Sequence, residues 1–455
     1  MAMTFPVETN WDGLVDSLGA IEVVRDPQQV EKLSKDSYHF SPLLQEQLGG
    51  YRADLVVRPA SEAEVLTVAQ VCGQAGVSIT VRGAGTGNYG QCIPLQGGVV
   101  LDLTRLNQVQ WVNPGVVRVQ AGAKLAAIDR ATREVGWELR MYPSTYRTAT
   151  IGGFIAGGSG GIGSITYGQL RDRGNLQALR IVTLEPFPRI LELRGDATQP
   201  VNHAYGTNGI ITELEIPLAP AYAWAEIIVT FPDFFTAADF GQCLGESDGL
   251  IKKLISIFAW PVPSYFVGLT PYLPQGQAAA LLMVAEPSLE LFEDLVRAYQ
   301  GTITYRRSAQ EASRGTLLAE FTWNHTTLHA RSADPGLTYL QTVFPYDPDQ
   351  KLVRQCYEHF GDEVQMHLEY VRVGGRVCPV GLQVVRYSTP ERLQEIMDYH
   401  EAQGALIANP HTYILEDGGM KQVDPAQVEF KARVDPQGLL NPGKMRGWLE
   451  RPGAP

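Results

Sequence analysis

The chain has 455 residues, 44% hydrophobic and 19% charged, the composition of a soluble folded protein too long for one ordinary core, so two domains are expected. A formal net charge of −12 without a lysine or arginine block argues against nucleic-acid and anionic-membrane partners, yet allows a phosphorylated ligand held locally by backbone groups. The opening MAMTFPVETNWDGLVDSLG lacks the basic and apolar stretches of a signal peptide, and five scattered cysteines without C-x-x-C spacing fit free thiols in a reducing cytoplasm.

Asp26–Val30 reads as a helix start, and GGYRADLVVRP (49–59) as a strand halted by proline. Ser61 and Glu64 form a capping box ahead of an apolar face of Val65, Val68, Ala69, Val71 and Cys72. Gly73 and Gly76 end that helix, and Val77–Arg82 is the next strand. This βαβ unit runs into RGAGTGNYG (82–90), which holds a literal G-x-G-x-x-G at Gly85, Gly87 and Gly90. The Rossmann reading of that pattern needs a helix directly after the glycines, because the helix N-terminus carries the pyrophosphate. Here Gln91-Cys92-Ile93-Pro94-Leu95-Gln96-Gly97-Gly98 follows, then another strand, Val99–Leu103. A strand–glycine–strand loop of this kind either makes a concave nest of amides for an anion, with Thr86 and Asn88 as added donors, or is simply a tight connection.

VRVQAGAKLAAIDRATREVGWEL (117–139) predicts a strand and a helix stopped at Gly136. A second glycine tract follows, PSTYRTATIGGFIAGGSGGIGSITYG (143–168), with eight glycines between Arg147 and Arg171. They break that uncharged run too often for a membrane span. Glycine costs about 0.5–1 kcal/mol against alanine in regular structure, so such a density signals a large flat group lying on the backbone. A floppy linker is the alternative, and the interleaved Ile151, Phe154, Ile155 and Ile162 oppose it. LQALRIVTLE (176–185) is a strand, and AYGTNGIITELEIPLAP (204–220) a turn and long strand, with a domain boundary at Pro217–Pro220.

Beyond the boundary, longer α/β alternation begins. WAEIIVTFPD (224–233) is a strand, FTAADFGQCLGESDGLIKKL (235–254) a helix, and AAALLMVAEPSLELFEDLVRAYQG (278–301) a strand and helix. VQMHLEYVRVGGRVCPVGLQVVRY (364–387) makes two strands about Gly374-Gly375, and TPERLQEIMDYHEAQG (389–404) another helix. FKARVDPQGLLNPGKM (430–445) reads as a helix end and turn outside this second core.

The ordered motifs RGAGTGNYG, TIGG with its glycine-rich continuation, AYGTNGIIT and DPQGLLNPGK resemble the vanillyl-alcohol oxidase/PCMH-type FAD-binding superfamily. Within it the chain is most similar to the FAD-linked oxidase branch that includes glycolate oxidases and D-lactate dehydrogenases. The likeness covers about 59–220 and the C-terminal motif. It implies an α+β fold, a PCMH-type FAD-binding domain of two subdomains (1–220, completed by tail 421–455), and an α/β substrate or cap domain (221–420) with an antiparallel sheet. It also implies that Arg82, Gly83, Ala84, Gly85, Thr86, Gly87 and Asn88 cradle the FAD pyrophosphate. Pro143, Ser144, Thr148, Thr150, Ile151, Gly152, Gly153, Gly158, Ser159 and Gly163 would line the ribityl chain and isoalloxazine. Gly209, Ile210 and Ile211 would hold the adenine side, and Asn441 and Lys444 would return from the tail. Covalent relatives place histidine where Thr86 stands, or cysteine in the second tract, where none occurs, so FAD is expected to be non-covalent. The H-x-G-D-G-N-x-H and G-E-H-G-x-G motifs of metal-dependent 2-hydroxyacid relatives are absent; the local echo is ANPHTYILEDGG (408–419).

Flavin oxidation of an alcohol needs a base for the hydroxyl proton and donors that orient the substrate. His411 is the first choice for the base, against a turn histidine bonded to backbone. His367 and Glu369 share a polar strand face with Gln365 that either roofs the flavin or is a solvated outer face. His325, with Asn324, is a weaker candidate; no Glu follows His325 as in H-E-x-x-H, and no metal is expected. Arg331 and Arg372 could hold a carboxylate. The expected reaction is hydride transfer from a small hydroxylated substrate (2-hydroxy acid, sugar or alcohol) to FAD, reoxidised by oxygen, a quinone or a protein. The alternatives are an NADPH-dependent reductase of the same superfamily, which the longer second domain disfavours, and a non-catalytic flavin-binding module.

Overall fold

The computed structural model describes residues 9–312, 315–420 and 422–451. The first eight residues of the expected FAD-binding unit, and with them part of the stretch read against a signal peptide, lie outside these, as do Lys421 and the last four residues of the expected tail.

Residues 22–220 build two sheets. In the first the order is Glu22–Val24, Leu55–Arg58, Val99–Asp102, Ile79–Arg82, with one antiparallel and two parallel pairings. The crossover is the helix Glu62–Ala75, capped by Ser61 as the sequence predicts, although Glu64 reaches the residue before the cap rather than the cap itself, so the reciprocal box is not closed. Ser61 Oγ accepts the Glu64 N–H at 3.2 Å, and the Glu64 carboxylate accepts the Ala60 N–H at 2.7 Å. Gly76, at φ 65°, ends the helix. Gly73 lies inside it instead, where a Cβ would sit 3.3 Å from the Glu185 carbonyl oxygen, so its smallness serves close packing. The second sheet is antiparallel, ordered Val109–Asn113, Val116–Gln120, Ile210–Pro220, Ala178–Val182, Ile190–Arg194, with Trp137–Leu139 also on Ile210–Pro220.

The cap sheet has eight strands, ordered Thr302–Arg307, Trp224–Phe231, Ala278–Ala285, Lys252–Phe258, His367–Val373, Arg376–Gly381, Thr342–Val343, Leu406–Ile407. Its central strands are buried along their whole length, as their near-continuous apolar sequences require. The helix expected over 235–254 ends at Glu246; Lys252–Phe258 is a strand wedged between Ala278–Ala285 and His367–Val373, where pairing on both edges overrides helical pattern. One face carries Ile227, Val229, Ile255 and Ile257 under the helices Phe234–Glu246 and Leu289–Ala298. The other, with Ile228, Phe258 and Leu281, is covered by Leu318–Phe321 and the helix Asn324–Ala333. That second cover lies between this sheet and the unit built by residues 22–220.

The tail returns to the first sheet. The Ile79 N–H donates to the Leu439 carbonyl at 2.8 Å, and the Asn441 N–H to the Ile79 carbonyl at 2.7 Å. The return begins earlier than residue 421. Tyr413 packs with Leu44, Leu48 and Ile93, and Leu415 with Tyr205, Met445 and Trp448. A buried ion pair closes the seam on the opposite side: Lys253 Nζ donates to Glu138 Oε1 at 2.7 Å and to the Leu139 carbonyl at 2.8 Å.

The second glycine tract is more regular than its composition predicts. Thr150 caps a helix, Ile151–Gly157, accepting the Gly153 N–H at 3.4 Å. Gly152 is needed there because a Cβ would lie 2.7 Å from Ala121 Cβ and 2.9 Å from the Ala121 carbonyl oxygen.

Candidate functional site

Between the two glycine tracts and the cap lies a cavity enclosing about 1430 Å³ of empty space, its mouth included. Its walls come from most of 81–92, from parts of 143–160, from Leu103, Ala121, Tyr205, Gly206, Gly209 and Ile211, and from Trp323, Asn324 and Gln341.

The loop after the strand Ile79–Arg82 is the polar end of the wall. Arg82 folds back beneath it, donating from Nη1 to the Lys35 carbonyl at 2.6 Å and from Nη2 to the Ala84 carbonyl at 3.4 Å. The guanidinium fills the space under Gly85, whose φ of 66° is left-handed. Among the described residues, none of the amide N–H groups from Ala84 to Asn88 donates a backbone hydrogen bond. Asn88 Nδ2 is buried and without a partner. Buried donors are nearly always satisfied in folded proteins, so the idle Asn88 Nδ2, beside the half-buried and unengaged amides of Ala84–Gly87 on the cavity wall, fits a bound oxyanion. This set of donors suits the diphosphate of FAD.

Most of the residues expected at the cofactor do meet here. Arg82, Gly83, Ala84, Gly85, Thr86, Gly87, Asn88, Pro143, Ser144, Thr150, Gly152, Gly153, Gly158, Ser159, Gly209 and Ile211 all line the cavity. Six others do not. Ile151 and Ile210 are core residues, and Thr148 is exposed with its hydroxyl on the Thr145 carbonyl. Gly163 belongs to the seam: its N–H donates to the Lys253 carbonyl at 2.8 Å, and a Cβ would strike the Arg140 carbonyl oxygen at 2.0 Å. Asn441 and Lys444 act from behind the wall, through Asn441 Nδ2 to the Gln91 carbonyl (2.8 Å) and Lys444 Nζ to the Gly90 carbonyl (2.7 Å). Glycine density in the second tract therefore has two causes. Gly153 lines the cavity, Gly152 and Gly158 line it and also make room for Ala121 and Phe154, and Gly161 and Gly163, away from it, make room for the Tyr142 and Arg140 backbone.

Sequence reasoning missed Tyr89, Gln91, Cys92, Tyr205 and Gln341. Tyr89 and Tyr205 stood inside quoted motifs, so position could have found them; Gln341 carries no local signal. Burial holds the Tyr89 and Tyr205 hydroxyls well above the usual tyrosine range, out of reach of any neutral-pH titration, so both are donors. Burial, then the nearby Asp36 carboxylate, pushes the Cys92 thiol up to about 12, and it stays a neutral thiol. Behind it Asp36 is raised to about 6 by burial, opposed chiefly by Lys444, which burial lowers to about 7.

None of the four expected reacting groups lines the cavity. His411 donates from Nε2 to the Tyr339 carbonyl at 2.9 Å and faces Ser41 Oγ through Nδ1 at 2.8 Å. Both nitrogens are engaged within the protein, and His411 pins the returning chain to the N-terminal unit away from the cavity lining. The strand face of His367 and Glu369 is neither solvated nor a roof over the cavity. Both are buried, and the segment through Trp323 intervenes. His325, beside the wall residue Asn324, has a buried, unpartnered Nδ1, and burial lowers it to about 4. Among the described residues no three His, Cys, Asp or Glu side chains gather to hold a metal ion.

The buried histidines set an acid limit. Burial lowers His411 and His203 from 6.5 to about 4. Between those values the unfolded chain binds the extra proton and the folded one does not, so stability is intact above pH 6.5 and falls as pH drops toward 4. The loss is at most about 3 kcal/mol per residue. Urea unfolding at pH 7 and pH 4.5 should show this loss, and His411→Gln should show a shallower dependence; an unchanged slope would remove His411 from the effect.

Residues 53–185 match the family described as FAD binding domain. The chain is 30% identical over 189 residues to an uncharacterized FAD-linked oxidoreductase of Mycobacterium tuberculosis, covering 39% of this chain and 40% of that protein. It is 30% identical to a D-lactate dehydrogenase of Anaerostipes hadrus over 38% of each chain. It is 29% identical to the glycolate oxidase subunit GlcD of Escherichia coli over 45% of this chain and 42% of that one. In each case the match spans less than half of the relative's length. Among solved structures, an alkyldihydroxyacetonephosphate synthase aligns with a TM-score of 0.72 at 18% identity, over 95% of this chain and 85% of that one. A Physcomitrella patens BBE-like 1 variant aligns at 0.65 and 14%, over 94% and 98%. Both share the fold.

Proposed function

We propose, from the premise that residues 53–185 are an FAD-binding domain of the FAD-linked oxidoreductases, that this chain oxidises a small hydroxylated compound with non-covalent FAD. The observation that carries this reading is the run of idle donors, Ala84–Asn88 with Asn88 Nδ2, on a cavity shared between the FAD-binding unit and the cap. When bound, FAD supplies the two-electron acceptor for a hydride leaving the carbinol carbon. The chain's part is to hold and shield. The loop amides and Asn88 bind the diphosphate, Gly153 and Ser159 leave room for the ring system, and Trp323, Asn324 and Gln341 close the cap side. Tyr89 and Tyr205, both protonated, orient the substrate oxygen as donors. With neither imidazole nor carboxylate on the wall among the described residues, the hydroxyl proton passes to water at the open mouth as the carbonyl forms. Thr86 at the position of the covalent histidine supports non-covalent attachment. The similarity to a D-lactate dehydrogenase and a glycolate oxidase subunit supports action on a CH–OH group. The acceptor that reoxidises the flavin is oxygen, a quinone or a protein. Free cysteines among the described residues, three of them buried, support a reducing, cytoplasmic setting, and no described helix is long and apolar enough to cross a membrane.

The test is an anaerobic screen of hydroxylated compounds against the yellow holoprotein. Bleaching of the flavin by one of them is the expected result. Bleaching by NADPH alone would favour the reductase, and a flavin that no compound bleaches would leave a binding module.

A further inference from the structure

Among the described residues the cap gives the cavity three side chains, Trp323, Asn324 and Gln341, and none of them ionises. Trp323 adopts φ 51°, a left-handed backbone that a bulky residue takes only when its surroundings impose it. The imposing group is Glu369, whose Oε1 accepts the Trp323 N–H at 2.8 Å. Glu369 is itself fixed: Ser256 Oγ donates to Oε2 at 2.6 Å, and His367 Nε2 faces Oε1 at 2.9 Å. His367 Nδ1 donates to the Leu382 carbonyl at 3.1 Å, and its ring stacks on Phe258 at 4.4 Å. Glu369 and His367, buried on a sheet face that also carries the buried Glu226 and Ser256, thus hold one tryptophan against the cavity. The indole Nε1 is buried and has no partner in the protein. Beside it Gln341 Nε2 donates to Asn324 Oδ1 at 3.3 Å, an amide pair that offers further donors and acceptors.

A carboxylate taken into such a place needs a cation at bidentate range, because an unpaired buried charge is strongly disfavoured. The arginines that could have supplied one are elsewhere. Arg331 donates to the Leu337 carbonyl, and Arg372 to the Ile165 and Gly375 carbonyls and to Asp248. Arg82 is on the wall but turned beneath Gly85. Neutral amides and an aromatic face match what hydroxyl groups and the C–H face of a polyol present. We propose that Trp323, Asn324 and Gln341 form the substrate subsite and that it selects an uncharged polyhydroxylated compound, a sugar or polyol, over a 2-hydroxy acid. Glu369 and His367 are positioning residues for Trp323. This inference rests on the oxidoreductase reading and narrows it.

The experiment titrates the FAD-loaded protein with two sets of probes, D-glucose, D-xylose, glycerol and xylitol against glycolate, D-lactate and D-2-hydroxyglutarate. Binding is followed by calorimetry and reduction by anaerobic bleaching. At least one neutral probe is expected to bind and bleach at concentrations 100-fold below any acid. Trp323→Phe should weaken that probe's binding about tenfold with FAD retention unchanged. Glu369→Gln, which keeps an acceptor for the Trp323 N–H, should stay within threefold, whereas Glu369→Leu should match Trp323→Phe. Preferential binding and bleaching by the acids would overturn the subsite and leave the oxidoreductase standing. Failure of both sets to bleach would remove the oxidoreductase reading and this inference together. Unaltered binding in Trp323→Phe would overturn the role given to that residue.

Discussion

Replacing Gly85 with valine is expected to leave a protein that cannot hold FAD. Two effects combine at this position. A φ of 66° is unfavourable for a β-branched residue, and the new Cβ would lie 2.1 Å from Arg82 Nη2 and 2.3 Å from its Cζ. The guanidinium has nowhere to go without giving up the Lys35 and Ala84 carbonyls, so the loop itself must move. Its idle amides would then no longer converge on one anion. FAD affinity should fall at least 100-fold, about 2.7 kcal/mol, and flavin absorbance should be lost on gel filtration. Asn88→Ala separates ligand from fold. Its Nδ2 has no partner in the protein, so removing it should weaken FAD about tenfold while leaving the melting temperature of the FAD-free protein unchanged. Full flavin retention by Gly85→Val would refute the cradle.

The cradle was legible in the sequence because its signal is local. Glycines that follow a strand and precede another strand cannot serve a Rossmann helix, and the loop Gly83–Gly90 lies where that pattern put it. The helix cap at Ser61 is equally local, whereas the helix capped by Thr150 was hidden by its glycines. The substrate side was illegible for the opposite reason. Trp323 and Gln341 are brought to the cavity by the packing of a cap segment on a sheet, and nothing in FTWNH or YLQTV announces that. His411 was chosen because ANPHTYILEDGG echoes a family motif, whereas what its two nitrogens meet, Ser41 at 370 residues and Tyr339 at 72 residues along the chain, has no local signal. The polar face of His367 and Glu369 was read correctly as a face. What covers it depends on the segment 318–333, which the strand's own alternation cannot reveal.

Glu138→Leu is expected to be the most destabilising single change, at about 3–5 kcal/mol, because it strands a buried lysine. Glu138 and Lys253 are each about 2% exposed on their side chains, one from the FAD-binding unit and one from the central strand of the cap. Without the carboxylate, Lys253 keeps only the Leu139 carbonyl and the faces of Tyr142 and Trp224, at 5.0 and 5.6 Å. Lys253→Met should cost less, since Glu138 still accepts from Trp224 Nε1 at 2.9 Å and from Arg133. The double change Glu138→Leu with Lys253→Met should recover much of the loss, as an apolar replacement removes both desolvated charges at once. Equilibrium urea unfolding of the four proteins measures this, and a double variant no more stable than Glu138→Leu would show that the pair is not coupled. The seam also bears on the site. Tyr142, over which the ammonium lies, immediately precedes Pro143 and Ser144 of the cavity wall, and the Lys253 carbonyl accepts the Gly163 N–H. A loosened seam should therefore release FAD at denaturant concentrations below those that unfold the chain, so flavin release and loss of secondary structure, coincident in the parent protein, should separate in Glu138→Leu.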